Sequence, residues 1–242
     1  MELPELVRVH FGWRVNPKTR FLFVSAPSHE LFEIPADLDM ANSEDLQYTF
    51  RQPSGPVSRG AFIVLEGLDR SGKTTQVKLL CDKLYSEGHN VRTLRFPAWI
   101  KEQISRGYTI VCDRYYYSGM VYSAAKKNPT LSLQWARSPD VGLPRPDRVL
   151  FLDLTAEEVE KRLGYGEEKY EKRELQETVR EVFLGLLVRG EEESTDMVVI
   201  DAGHPVEEVA STLWKAVQTV VKEVECGSRK ELGTVGTWSP TL

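Results

Sequence analysis

From residue 60 onward, short apolar and β-branched runs alternate with longer stretches in which apolar residues recur every three or four positions. The first pattern suits strands buried on both faces and the second suits helices with one apolar side, so the alternation predicts a parallel sheet covered by helices. Strands are expected over 61–66, 91–96, 108–112, 148–154 and 197–201. Helices are expected over 73–86, 159–163, 173–189 and 205–224, with Gly88 placed to end the first. Ahead of this domain, 7–15 and 20–25 read as a hairpin about the turn Asn16-Pro17-Lys18-Thr19. Residues 26–59, rich in Pro, Ser, Asp and Glu, read as a linker. The organisation is therefore an N-terminal extension over 1–59, a main domain over 60–225, and a tail over 226–242 whose three glycines and weak periodicity predict fraying.

Composition narrows the function. The 242 residues are 41% hydrophobic and 28% charged with a formal charge of -5, which suits a soluble globular chain. Residues 1–59 carry six Lys/Arg against eight Asp/Glu, and 60–242 carry twenty-five against twenty-eight, so neither part offers a basic surface for a nucleic-acid backbone. No apolar run approaches the ~18 residues of a membrane span, and the first residues lack the basic region and apolar core of a signal peptide. A cytoplasmic location is expected, with the nucleus left open. Cys81, Cys112 and Cys226 form no CxxC pair and read as buried or incidental thiols. His10, His29, His89 and His204 lie in turn-like or surface stretches and are assigned no chemistry.

Gly67-Leu68-Asp69-Arg70-Ser71-Gly72-Lys73-Thr74 matches GxxxxGK[ST], follows the apolar run Phe62-Ile63-Val64-Leu65-Glu66 and opens a helical pattern. Glycines let such a loop curl so that its N–H groups and the helix N-terminus face an anion. Lys73 then reaches the β and γ phosphates, and Thr74 ligates Mg²⁺. The loop alone leaves GTPases, ATPases and small-molecule kinases open. No Asn-Lys-x-Asp guanine-reading sequence is present and the chain is short for a motor, which favours a kinase. A kinase needs a second anion site, and Asp113-Arg114 stands at the carboxyl end of the third predicted strand, where α/β sheets place ligands. Asp113 is suited to Mg²⁺ or its waters and Arg114 to an acceptor phosphate. A surface ion pair beside a core cluster of Tyr115, Tyr116 and Tyr117 is the competing reading.

Five segments in order closely resemble thymidylate kinases: 65–76 with the loop and Thr75-Gln76, Arg95-Phe96-Pro97, Asp113-Arg114-Tyr115 with Ser118-Gly119, Gly142-Leu143-Pro144-Arg145-Pro146-Asp147, and 164–171 with Gln176. The resemblance spans about residues 60–222. It implies an α/β P-loop nucleoside-monophosphate-kinase fold with a five-stranded parallel sheet flanked by helices, and transfer of the γ-phosphate of MgATP to dTMP for dTTP synthesis. ATP and Mg²⁺ are the implied cofactors and small nucleotides the implied partners, without nucleic acid or membrane; a homodimer stays open. The catalytic set implied is Arg70, Lys73, Asp113 and Arg114. Gly67, Asp69, Arg70, Ser71, Gly72, Lys73, Thr74, Thr75 and Arg162 would hold ATP, and Thr74 and Asp113 the metal. On the acceptor, Asp69 would meet the sugar 3′-hydroxyl and Arg114 the phosphate, Phe96, Ser118 and Gly119 would border the thymine, and Tyr122 and Tyr170 would pack near the sugar. For Tyr122, Tyr170 and Arg162, core packing or a solvated surface is the alternative. Arg70 inside the loop follows the eukaryotic pattern. The charged segment 164–173, with Gly164 and Gly166, reads as a lid or as a solvated helix start.

The chain departs from that family after Pro97. An acceptor-phosphate arginine and a Phe-Ser-Ala-Asn-Arg stretch that stacks on and reads thymine are absent, and only the ten residues 98–107 separate the second and third strands. Such a crossover is at the ~10 to 12 residue limit for neighbouring parallel strands. Apolar surface next to the acceptor site is expected to be exposed, and Arg95, alternating with Phe96, points away from the lost position. Three readings follow: a dTMP kinase, an impaired ATP-binding relative, or a kinase of another small acceptor.

Overall fold

Phe62, Ile63, Val64, Leu65, Glu66 and Gly67 are all buried, the mark of a strand covered on both faces. This strand, β1 (Phe62–Gly67), is the middle of a five-stranded sheet of order β2-β3-β1-β4-β5. The computed structural model describes residues 48, 51, 58–93, 100–126, 132–155, 157–159, 169–189 and 192–238. All of them belong to the unit Met40–Leu242. The other strands are β2 (Asn90–Thr93), β3 (Tyr108–Asp113), β4 (Arg148–Asp153) and β5 (Met197–Asp201). Every pairing is parallel.

The described helices are α1 (Lys73–Ser86), α2 (Ile100–Ser105), α3 (Tyr116–Ala124), α4 (Leu133–Arg137), α5 (Lys169–Val188), α6 (Glu192–Asp196) and α7 (Val206–Glu225). A short 3₁₀ turn, Ser138–Asp140, follows α4. In α7 the buried positions Val209, Leu213, Val217, Val220, Val221 and Val224 form one stripe, which packs on β4, β5 and α1. Helix α3 packs on β1, α4 and α5. Neighbours β3 and β4 lie on either side of β1, so the direction of progress across the sheet reverses there. Ligands of open parallel sheets bind at the carboxyl ends of strands beside such a reversal.

The short crossover holds. Between β2 and β3, α2 buries Ile100, Gln103 and Ile104, and the Gly60 N–H reaches the Ile104 carbonyl at 2.8 Å. Among the described residues the exposed large apolar side chains are Leu79, Trp135, Val141, Val188, Val199 and Val206. None is on β2, α2, β3 or α3, so the exposure expected there is not found among them. Trp135 is on α4, which packs against α3.

Two boundaries differ from the sequence reading. The tail expected to fray is docked through residue 238: Gly142 N–H bonds the Val235 carbonyl, Val235 N–H bonds Leu143, and Pro144 pairs with Thr234. Val235 and Trp238 are buried, and the Trp238 indole N–H donates to Glu193 at 2.8 Å. Glycine-rich sequence hid two apolar anchors that act through non-local contacts. At the other end, Arg59 forks onto Asp147 with two 2.7 Å bonds and also reaches the Lys230 and Glu231 carbonyls. Tyr48 donates to Asp82 and Arg51 lies over the Tyr85 ring, so contacts with the domain begin before residue 60. The predicted hairpin over 7–15 and 20–25 lies outside the described residues.

Candidate active site

The loop between β1 and α1 takes its shape from backbone positions that side chains disfavour. Gly67 has φ 147°, and a Cβ there would meet the Leu152 carbonyl oxygen at 2.6 Å and Ser71 Oγ at 2.8 Å. Gly72, at φ 91°, is the N-cap of α1 and offers its first N–H groups no side-chain cap. Arg70 and Arg114 are the non-glycine residues with left-handed backbone among those described, at φ 66° and 68°. Each such conformation costs about 1–3 kcal/mol, and such strain concentrates at functional sites. The two lie on the segments that the sequence assigns to phosphate chemistry.

Inside the loop, Lys73 is buried and its Nζ donates to the Leu68 carbonyl at 2.7 Å, Gly67 at 3.2 Å and Ser71 Oγ at 3.4 Å. Burial, helped by nearby Arg114, pushes its ammonium down to about 8 against the pull of Asp113, Asp69 and Glu66. A second element closes on the loop from the end of β3. Thr74 Oγ1 donates to Asp113 Oδ2 at 2.8 Å. Arg114 donates to Asp69 Oδ1 at 2.5 Å and to Ser118 Oγ at 3.1 Å, and its guanidinium lies 5.6 Å from the Tyr122 ring centre. Burial works against the Arg114 charge, but Tyr122, Glu66 and Asp69 outweigh it and hold the group more firmly cationic than usual.

Of the sequence-predicted residues, Lys73 thus bonds Ser71, Thr74 bonds Asp113, and Arg114 bonds both Asp69 and Ser118, with Tyr122 beside Arg114. Arg70 is exposed on the loop, Thr75 is exposed on α1, and Gly119 follows Ser118 on α3. Phe96 and Arg162 lie outside the described residues, as does the first half, 164–168, of the lid segment 164–173. Tyr170 lies in the first turn of α5, which begins four residues before the expected 173 because the charged stretch is already helical from Lys169. Thr74 and Asp113 offer two hard oxygen donors side by side, which fits Mg²⁺, an ion that takes few protein ligands and completes its shell with water and phosphate oxygens.

Two features escaped the sequence reading. Asp153, at the carboxyl end of β4, is gripped by Arg180 of α5 through bonds of 2.5 and 2.6 Å. Glu66 is fully buried at the end of β1, and its carboxylate accepts from Tyr115 N–H at 2.8 Å, Ser118 N–H at 3.2 Å and Ser118 Oγ at 2.5 Å. The signal was there: one acidic residue closing an otherwise apolar strand.

Comparison with known proteins gives one answer. The family model described as thymidylate kinase matches residues 91–213. A thymidylate kinase of Schizosaccharomyces pombe is 37% identical over 200 residues, covering 67% of this chain and 94% of the relative. The human thymidylate kinase is 36% identical over 188 residues, covering 62% and 86%. The solved structure of a Candida albicans thymidylate kinase superposes with a TM-score of 0.56 at 28% identity, covering 76% of this chain and 99% of that one. The sheet and loop are those of the P-loop nucleoside-monophosphate-kinase fold. A phosphate loop alone would fit many enzymes; matched over half its length by one family and over most of the length of two eukaryotic relatives, this chain belongs to the thymidylate kinases, a family of nucleoside monophosphate kinases.

Proposed function

We propose that the chain transfers the γ-phosphoryl group of MgATP to dTMP, giving dTDP for dTTP supply. The observation that carries this reading is the direct bonding of the Asp113-Arg114 corner to the phosphate loop, at Thr74 and Asp69. Donor and acceptor elements therefore meet at one point on the carboxyl edge of the sheet. In this reading the loop N–H groups and Lys73 hold the β and γ phosphates, and Thr74 and Asp113 hold the metal. Mg²⁺ held by Thr74 and Asp113 would supply positive charge against the negative charge that develops on the phosphates. Arg70, exposed at the loop's turn, follows the transferring group. Arg114 takes the acceptor phosphate, exchanging its bond to Asp69 for a bidentate grip on two phosphate oxygens. Asp69, so released, accepts from the sugar 3′-hydroxyl.

An assay with MgATP and, in turn, dTMP, dUMP, dCMP and AMP tests the assignment. Turnover should be highest with dTMP and low with AMP, whose purine is larger than the thymine that Ser118 and Gly119 would border. Preference for AMP or dCMP would move the chain to another acceptor. Absence of turnover with all four, alongside intact MgATP binding, would leave only a nucleotide-binding role.

A further inference from the structure

We infer that Glu66 is a positioning residue of the acceptor side: its carboxylate caps α3 from the neighbouring strand and fixes, through Ser118, where the Arg114 guanidinium stands. The inference rests on the proposed acceptor role of Arg114.

The chain leaves β3 through Arg114, whose φ is 68°, and enters α3 through Tyr115, which is extended at φ -143° and makes no side-chain cap. A helix beginning this way leaves its first N–H groups without partners, and a buried one must find them elsewhere. Glu66 supplies them from β1: one oxygen accepts from Tyr115 N–H at the cap position and from Ser118 N–H two residues into the helix, the bond a local Ser or Asp cap would otherwise make. Its negative charge also sits at the positive end of α3.

The other oxygen orders a relay. Ser118 has one hydroxyl proton, and it goes to Glu66 Oε2 at 2.5 Å. Only lone pairs remain on the outer side of Ser118 Oγ, and Arg114 Nη1 donates into them at 3.1 Å. Glu66 thereby decides which way the hydroxyl points, and the hydroxyl holds one arm of the guanidinium while Asp69 holds the other. Burial pushes the Glu66 carboxyl above its ordinary range, while Arg114, the bonds from Ser118 and Tyr115 N–H and, last, Lys73 pull it back toward the charged form. A glutamine of the same shape would still accept from the two N–H groups, but its amide would donate toward Ser118 Oγ and compete with Arg114 for the same lone pairs.

The test compares Glu66→Gln, Ser118→Ala and the double variant with the wild type. KM for dTMP is expected to rise tenfold or more in each single variant while KM for MgATP stays within twofold, and the double variant should lose little beyond either single one, because both cut the same relay. Losses that multiply in the double variant, or that fall equally on both nucleotides, overturn the inference. Hydrogen exchange read by mass spectrometry on a further variant, Glu66→Ala, gives an arm independent of turnover. With both acceptor oxygens removed, the amides of 115–118 should exchange at least tenfold faster than in the wild type, with those of β4 unchanged; unaltered exchange at 115–118 overturns the inference as well. Should the wild type form no dTDP, the proposed function fails, and the exchange arm alone then decides the role of Glu66.

Discussion

The donor loop and the acceptor corner meet through direct hydrogen bonds yet are built on different principles. The loop is local: eight consecutive residues, two glycines at positive φ, and a lysine bonded to carbonyls five and six positions back. The corner is assembled across the sheet, from Arg114 and Ser118 on one segment and Asp69 and Glu66 on another. A contiguous motif carries its geometry with it, whereas a corner of this kind depends on partners about fifty positions away. The loss of the family's arginine and thymine-reading stretch after Pro97 therefore bears on the acceptor and leaves the donor loop whole.

The sharpest way to break this contrast is at Lys73. Lys73→Ala should weaken MgATP binding a thousandfold or more by calorimetry without lowering the melting temperature, since its ammonium is buried at a cost that alanine removes. Unchanged nucleotide affinity would take the donor site away from the loop. Arg70→Ala and Asp113→Ala should each lower kcat a hundredfold or more, equivalent to about 3 kcal/mol of transition-state stabilisation, with melting temperatures within about 3 °C of wild type. Losses that scale with melting temperature instead would make both residues structural.

Acceptor selectivity sharpens the contrast further. With no Phe-Ser-Ala-Asn-Arg stretch in the chain, kcat/KM for dTMP over dUMP should differ by about tenfold, the discrimination one methyl group earns in an apolar pocket. A ratio above about a thousand would mean that another segment reads the base. The smallest effect is on pH. Lys73, lowered to about 8, is protonated below that value and neutral above it. Phosphate binds the protonated form, so MgATP affinity should be flat up to about pH 7 and fall about tenfold by pH 9. Lys73→Arg should bind with no such step.

The same contrast explains what the sequence disclosed. Helix α1 begins and ends where its pattern predicts, because Gly72 and Gly88 punctuate it locally. The strand register follows from apolar runs that only a doubly covered parallel sheet can bury. Loop residues from Gly67 to Thr74 were legible because spacing alone defines their chemistry. Glu66 directly precedes that loop, yet nothing local says that a carboxylate near a strand end will cap a helix some fifty residues on. The tail was misread for a similar reason: Val235 and Trp238 become anchors only because Leu143 and Glu193 come to meet them. Nothing in the sequence sets Arg180 apart from the other charges of its helix; its role follows only from Asp153, which the end of β4 brings beside it.

Where the phosphoryl group goes decides the proposed activity. With γ-³²P-labelled ATP, Mg²⁺ and dTMP, the wild-type chain should place the label in dTDP, and Lys73→Ala should place none there. Label released only as inorganic phosphate, or no transfer while ATP remains tightly bound, would contradict it.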